Sequence, residues 1–258
     1  MKTRWPAGDG AREAYEAFAP VYDDFNRAYG YKYEHWTGVL LEKAEERGIG
    51  GRRLLDVGCG TGFSFLPMLE RGWQVTGCDV SPAMIEIARA KVGHGASLRV
   101  ADMRELPSFG KFDLIWVIND PINYLLSTEE LEATLKGIRQ NLAADGIAVF
   151  DVNTLVTYRG FFSGEFVVEG TGRRFVWRGR TSAEEVAPRS FYESRFEATD
   201  EPGAEGVHRQ RHFSEDEVLR AIEAAGLRFV ALYGEQEGDL YPGLDEEVHS
   251  KAVYLCRR

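Results

Sequence analysis

The chain has 258 residues and a formal net charge of −10, with 31 Lys and Arg against 41 Asp and Glu. This length suits one α/β domain with an insertion or a small subdomain. The acidic balance argues against a nucleic-acid partner, which needs a basic patch or stripe, and no run approaches the ~20 apolar residues of a membrane span.

Met1 to Gly10 holds Pro and Gly and lacks an apolar signal core. The three cysteines, Cys59, Cys78 and Cys256, form no C-x-x-C and no metal-ligand spacing. No metal is expected, and the expected setting is the reduced cytoplasm. Tyr15, Phe18, Ala19, Tyr22 and Phe25 recur at steps of three and four, which predicts an amphipathic helix over 11–28, interrupted near Pro20. Trp36, Val39 and Leu40 predict a second helix ending near Gly48. Gly50-Gly51 then separates this entry segment from the first strand.

Leu54-Leu55-Asp56-Val57-Gly58-Cys59-Gly60-Thr61-Gly62 is the stretch around which the rest of the chain is organised. An apolar run ends in an acid, a glycine turn comes next, and Phe63, Phe65, Leu66 and Leu69 have helical spacing. The glycines permit positive φ and a close ligand approach. A dinucleotide site wants G-x-G-x-x-G with a pyrophosphate at the helix start. Here the glycines run G-x-G-x-G, and Asp56 would oppose a pyrophosphate but suit an ammonium or sulfonium. The second predicted strand, Trp73 to Cys78, ends in Asp79, 23 residues after Asp56. An acid there is placed to accept ribose hydroxyls. Ser81-Pro82 opens the next helix and is the better cap, which leaves Asp79 free. The third strand, Ser97 to Ala101, ends in Asp102-Met103. The fourth, Phe112 to Ile118, ends in Asn119-Asp120-Pro121-Ile122-Asn123-Tyr124. Ser127 with Glu130 reads as a capping box, and Leu131, Leu135, Ile138 and Leu142 give that helix its buried stripe. Ala144-Asp145-Gly146 turns into a fifth strand, Ile147 to Val152. Ligands in open α/β sheets bind at carboxyl strand ends, and here those ends carry suitable groups.

The D-x-G-C-G-T-G run from Asp56 to Gly62 resembles motif I of the class I S-adenosylmethionine-dependent methyltransferases, and Gly77 to Met84 resembles their second motif. The resemblance implies a Rossmann-like seven-stranded, mainly parallel sheet with helices on both faces. It implies S-adenosylmethionine as cofactor and S-adenosylhomocysteine as product. The cofactor residues it implies are Tyr22, Asp56, Gly58, Cys59, Gly60, Gly62, Asp79, Val80, Met84, Asp102, Met103 and Asn119. Asp102 and Met103 would meet the adenine; Met84 would touch it or be core. Tyr22-Asp23 is similar to an N-terminal lid segment of the small-molecule members, so residues 1–50 are expected to cover the site, with Tyr15 or Tyr22 closing over the cofactor; the alternative is that these aromatics pack onto the sheet. The loop after the fourth strand departs from the N-P-P-Y of enzymes acting on amide or base nitrogens. It is closer to the D-x-x-N-Y-L of bacterial small-molecule enzymes, matched by Asp120, Asn123, Tyr124 and Leu125. Asn119 and Asp120 are candidates to orient an amine or the cofactor's ammonium; their alternative role is turn chemistry.

Helix periodicity disappears over 155–213. Short strands near Phe166, Arg174 to Trp177, Ser190 to Tyr192 and Val207 to Arg209 predict a small inserted antiparallel sheet. It would cap the acceptor pocket or form a dimer surface, so a homodimer stays open. Arg178, Arg180, Arg195, Arg209 and His212 are candidates to bind a substrate carboxylate. His208 and His212 are the histidines of this insertion; either is a candidate general base, and a surface position is the alternative expected for both. Ser214 caps a helix ending at Gly226; a strand comes next at Leu227 to Leu232, then an acidic loop from Glu235 to Glu247 and a last strand from Ala252 to Cys256. The expected organisation is a lid at 1–50, a cofactor core at 51–154 and 214–258, and the inserted sheet. The expected activity is methyl transfer to a nitrogen, oxygen or carbon of a small-molecule acceptor. The alternatives are an NAD-type oxidoreductase and a catalytically silent cofactor-binding protein.

Overall fold

The computed structural model describes residues 10–258. The reading of Met1 to Gly10 falls, apart from Gly10, outside them. Two helices open the chain, α1 (Gly10–Tyr29) and α2 (Tyr33–Glu45). The core then alternates as β1 (Arg53–Val57), α3 (Leu66–Glu70), β2 (Gln74–Asp79), α4 (Pro82–Val92), β3 (Ala96–Val100), β4 (Phe112–Val117), α5 (Thr128–Asn141) and β5 (Leu142–Asn153). These strands lie in the order β3-β2-β1-β4-β5 and all pairs among them are parallel.

Strand period explains the apolar runs. Leu55, Val57, Ile115, Val117, Ala148 and Phe150 point to a core shared with Leu131, Leu135 and Ile138 of α5. Leu54, Leu114, Trp116, Ile147 and Val149 point to the opposite core, shared with Trp36 and Leu40 of α2 and Ile85 of α4. Both faces are covered, so no polar alternation survives in these strands.

After β5 come α6 (Leu155–Phe161) and a four-stranded antiparallel meander, β6 (Glu165–Gly170), β7 (Arg173–Gly179), β8 (Phe191–Ala198) and β9 (Glu205–Arg211). Helix α7 (Glu215–Ala224) returns the chain to the main sheet, where β10 (Arg228–Gln236), β11 (Asp239–Pro242) and β12 (Lys251–Arg257) complete it. β12 inserts antiparallel between β5 and β10. An eighth strand, β11, extends the expected seven. It folds back on β10 through Glu237-Gly238, both at positive φ (55° and 91°), as a two-residue hairpin turn requires. Most of the supposed acidic loop is therefore hairpin.

Three local readings are corrected. Helix α1 runs unbroken through Pro20. Pro20 is exposed, while Phe18 and Val21 are buried against Phe175 and Phe196 of the second sheet. Tertiary packing offsets the one backbone bond that proline forfeits. The segment after the glycine turn is helical only from Leu66 to Glu70. Ala144 to Gly146 lie inside β5 as a register irregularity rather than before it.

Candidate active site

The carboxyl ends of β1 to β4 open onto one cavity of about 790 Å³, within the size of small-molecule sites. Its wall takes Val57, Gly58, Cys59 and Gly60 from the glycine turn, Asp79 and Val80 from β2, Asp102 and Met103 after β3, and Asn119 after β4. Helix α1 adds Tyr15 and Tyr22, and the second sheet adds Phe191 and Arg209.

The turn has its glycines for steric reasons. Gly58, Gly60 and Gly62 have φ of 75°, 52° and 96°. A Cβ on Gly58 would lie 2.9 Å from Pro121, and one on Gly62 would lie 2.7 Å from Phe65. Gly60 is open except for the Tyr22 ring, 3.9 Å from where its Cβ would be. A ligand can therefore meet bare backbone beneath an aromatic cover.

Asp79 is less free than expected. Its Oδ2 accepts from the Gly60 N–H at 2.9 Å and its Oδ1 from the Ser81 N–H at 2.9 Å. Ser81 is the helix cap, accepting from Met84 N at 3.2 Å. Burial pushes the Asp79 pKa up to about 6, against the two backbone donors that hold it down. Each oxygen retains a lone pair, and the residue stands on the cavity wall. Asp102 is gripped by Arg104, which donates to it from Nε and Nη2.

Three expected contacts lie outside this wall. Asp56 is 1% exposed and accepts from Ser64 Oγ at 2.5 Å. Burial pushes its pKa up to about 7, opposed by the Ser64 bond. Gly62 shapes the turn from behind, and Met84 is fully buried core. Strand parity explains Asp56. It pairs in register with Trp116 and so shares the face of Leu54, not the open strand end.

The loop after β4 is unusual. Asn119 and Asp120 both have left-handed φ, 67° and 61°. Asp151, fully buried on β5, holds them: its carboxylate accepts from Asn119 N at 2.7 Å and Asp120 N at 2.6 Å. Burial pushes the Asp151 pKa up. Lys251 donates to Asp120 at 3.1 Å and lies 3.6 Å from Asp151. Burial works against the Lys251 charge, yet the two carboxylates raise its pKa above the ordinary value. Gln210 donates to the other Asp120 oxygen at 2.6 Å, and Tyr31 donates to Asn119 Oδ1. Asp120 thus lies behind the wall, committed to Lys251 and Gln210. Asn123 is a buried tie, donating to Arg211 O and accepting from Asn153 N.

His212 is also placed away from the cavity. Its Nδ1 accepts from Arg189 N at 3.1 Å, so Nε2 carries the hydrogen and donates to Glu246 at 2.6 Å. It fastens two loops and cannot serve as a base at the wall. Arg178 and Arg195 pair with exposed carboxylates of the second sheet, and Arg180 with its buried Glu193. Arg209 pairs with Glu193 and does reach the wall. His208 is buried (1% exposed), contrary to the surface reading. Asp151 and Lys251 were missed, although an acid inside the apolar run Ile147 to Val152 is the same signal that flagged Asp56.

Helix α1 is latched onto the glycine turn. Thr61 donates to Asp23 at 2.6 Å, and Lys91 bridges Asp23 at 2.5 Å and the Thr61 carbonyl at 3.0 Å. Among the described residues no helix is long and apolar enough to cross a membrane.

Comparisons with known proteins agree with this geometry. The family described as "Methyltransferase domain" matches residues 54–146. The putative methyltransferase YqeM of Bacillus subtilis is 29% identical over 83% of this chain and 86% of its own. A Saccharopolyspora spinosa protein, dTDP-4-amino-2,3,4,6-tetradeoxy-D-glucose N,N-dimethyltransferase, is 28% identical over 85% and 89%. Among solved structures, Streptomyces venezuelae DesVI is 26% identical with a TM-score of 0.71, covering 92% of this chain and 97% of its own. The strand order, the glycine turn and its acid-bearing strand ends, and these likenesses support a class I S-adenosylmethionine-dependent methyltransferase.

Proposed function

We propose that the enzyme methylates an amine nitrogen of a small-molecule acceptor. One observation carries the choice of nitrogen. Two carboxylates, the part-buried Asp120 and the fully buried Asp151, face a single ammonium, Lys251, leaving a net negative charge behind a wall that includes Tyr15, Tyr22, Tyr33 and Tyr124. In amine methylation the positive charge passes from sulfonium to ammonium and stays in the pocket. Aromatic faces and a buried negative charge suit both ends of that passage. A hydroxyl acceptor would lose the charge with its proton. The name of the Saccharopolyspora relative, an N,N-dimethyltransferase of an amino sugar, supports the same acceptor class.

The cofactor supplies an already activated methyl group; the chain supplies proximity and alignment. In this reading the bare backbone of Gly58 and Gly60 lets the ligand approach, and Asp79 accepts the ribose hydroxyls. Asp102 and Met103 meet the adenine edge, and Asn119 orients the amino-acid end. Residues up to 50 act as a lid, and 155–213 cap the acceptor side, contributing Phe191 and Arg209. The Asp23 latch supports the lid assignment.

Calorimetric titration with S-adenosylhomocysteine, with NADH in parallel, tests the cofactor site: saturable binding of the first alone is expected. A turnover screen pairing amino sugars and other primary amines with their hydroxyl counterparts then tests the acceptor. Methylation confined to hydroxyl compounds would defeat the amine reading. Tyr22→Ala is expected to weaken S-adenosylhomocysteine binding about tenfold, the scale of a partly desolvated aromatic contact, with little change in melting temperature. Tyr22→Phe should bind normally, because the ring and not the Tyr33-bonded hydroxyl faces Gly60. A Tyr22→Ala protein that only melts earlier would make the residue core.

A further inference from the structure

Tyr15 and Tyr124 stand together on the cavity wall, ring centroids 5.3 Å apart. Tyr15 donates to Tyr124 Oη at 3.1 Å. A phenol has one hydrogen and can accept twice. With Tyr15 donating to its oxygen, Tyr124 keeps its own hydrogen for its other neighbour, Nδ1 of His208 at 2.7 Å. That nitrogen must then be bare, so the neutral imidazole carries its hydrogen on Nε2.

The surroundings fix the ring. His208 stacks on Trp177 at 4.7 Å and meets Tyr15 and Phe18 edge-on at 5.4 and 5.8 Å. Its Nε2 is buried with no hydrogen-bond partner among the described residues. Burial pushes its pKa down to about 4, against the nearby Asp120 charge, so the ring is neutral when the enzyme works near neutral pH. A full proton acceptor for an ammonium is thereby ruled out; what the ring supplies is a lone pair.

We propose that His208 is a positioning residue for the methyl acceptor: by taking the Tyr124 hydrogen, it makes the Tyr15–Tyr124 pair a wall that accepts hydrogen bonds and donates none. The inference rests on the amine reading above. An attacking amine must aim its lone pair at the methyl group, so its N–H bonds need acceptors on the other side. Tyr15, with its hydrogen given to Tyr124, offers lone pairs for that purpose. A carboxylate or phenolate acceptor brings no hydrogen and meets only lone pairs. Removing the imidazole frees the Tyr124 hydrogen to turn toward Tyr15 or the cavity, and the wall then presents a donor to the nitrogen lone pair.

The tautomer is read in the wild-type protein by long-range proton–nitrogen NMR on ¹⁵N-histidine-labelled enzyme, with His208→Gln identifying the signal. The Nε2–H form is expected at neutral pH; the Nδ1–H form or an imidazolium overturns the proposal whatever the acceptor. With the amine found by the screen, His208→Leu should lower kcat/KM about ten- to a hundredfold, the scale of a misaligned buried hydrogen bond. His208→Gln, whose amide oxygen can take the Tyr124 hydrogen, should stay within about threefold of wild type. Both should bind S-adenosylhomocysteine as wild type does. Equal turnover by wild type and His208→Leu, or a His208→Gln loss as large as that of His208→Leu, sinks it. A screen that returns only hydroxyl acceptors defeats the amine reading while leaving the tautomer result to stand by itself.

Discussion

Asp79→Ala is expected to weaken S-adenosylhomocysteine binding by about a hundredfold or more while the protein stays folded. Two ribose hydroxyls donating to a carboxylate are together worth about 3 kcal/mol or more, since each charge-assisted bond contributes about 1.5–3 kcal/mol. The substitution also releases the Gly60 and Ser81 N–H groups that the carboxylate holds at 2.9 Å each. Gly60 is then free to leave the geometry that presents its backbone to the ligand. Unchanged affinity by calorimetry would defeat the ribose assignment. Burial raises the Asp79 pKa to about 6 from an unfolded value near 3.9. A raised acid contributes stability that is complete below its unfolded pKa and lost as pH rises through the folded one. The ligand-free enzyme should therefore lose this contribution between about pH 4 and pH 6. Ligand hydroxyls favour the ionised form, so affinity should climb from pH 5 to pH 7 and then level. Asp56, pushed up to about 7, titrates in the same window but lies off the wall. Asp79→Asn retains Asp56, so a pH dependence that disappears in that variant belongs to Asp79.

Asp79 was legible because its signal is local: an apolar run, an acid at its end, then a Ser-Pro helix start. The same logic located Asp102 and the Asn119 loop, and turn geometry located Gly58 and Gly60. It misplaced Asp56, because position at a strand end does not give side-chain direction. One residue of parity turns Asp56 toward Trp116 and leaves Val57 at the opening. The two histidines of the insertion show the limit differently. His208 lies on β9 and shares its inward face with Gln210, whereas His212 lies beyond the strand end and turns to Glu246. Sequence alone offers the same residue type four positions apart. The least legible contacts join distant segments: Tyr15 to Tyr124, Tyr31 to Asn119, and Lys251 to Asp120. No short-range pattern encodes which of eleven tyrosines face one another across the cavity. Only the folded sheet order brings β5, β9 and β12 under one loop.

That convergence makes Asp151 the residue whose loss should cost the most stability. Asp151→Ala is expected to lower the unfolding free energy by about 3–5 kcal/mol, the scale for breaking a buried charge cluster from one side. The carboxylate is fully buried and accepts from two successive N–H groups. Its removal leaves those donors bare, with Asn119 and Asp120 in left-handed geometry that costs roughly 1–2 kcal/mol per ordinary L-residue. Lys251 keeps Asp120 at 3.1 Å and Asn153 at 3.0 Å but loses its second counter-charge. Asp151→Asn should lose less, because one amide oxygen still accepts, although its NH₂ must face the other N–H. Urea unfolding at constant m-value measures both. A loss under about 1 kcal/mol for the alanine variant would mean that the loop holds its own shape without the acid. Lys251→Met tests the coupling, since its cost should fall in an Asp151→Asn background, where the negative charge it balances is already halved. Strict additivity would show that the three groups act independently, and the net negative charge invoked for the amine acceptor would then rest on Asp120 alone.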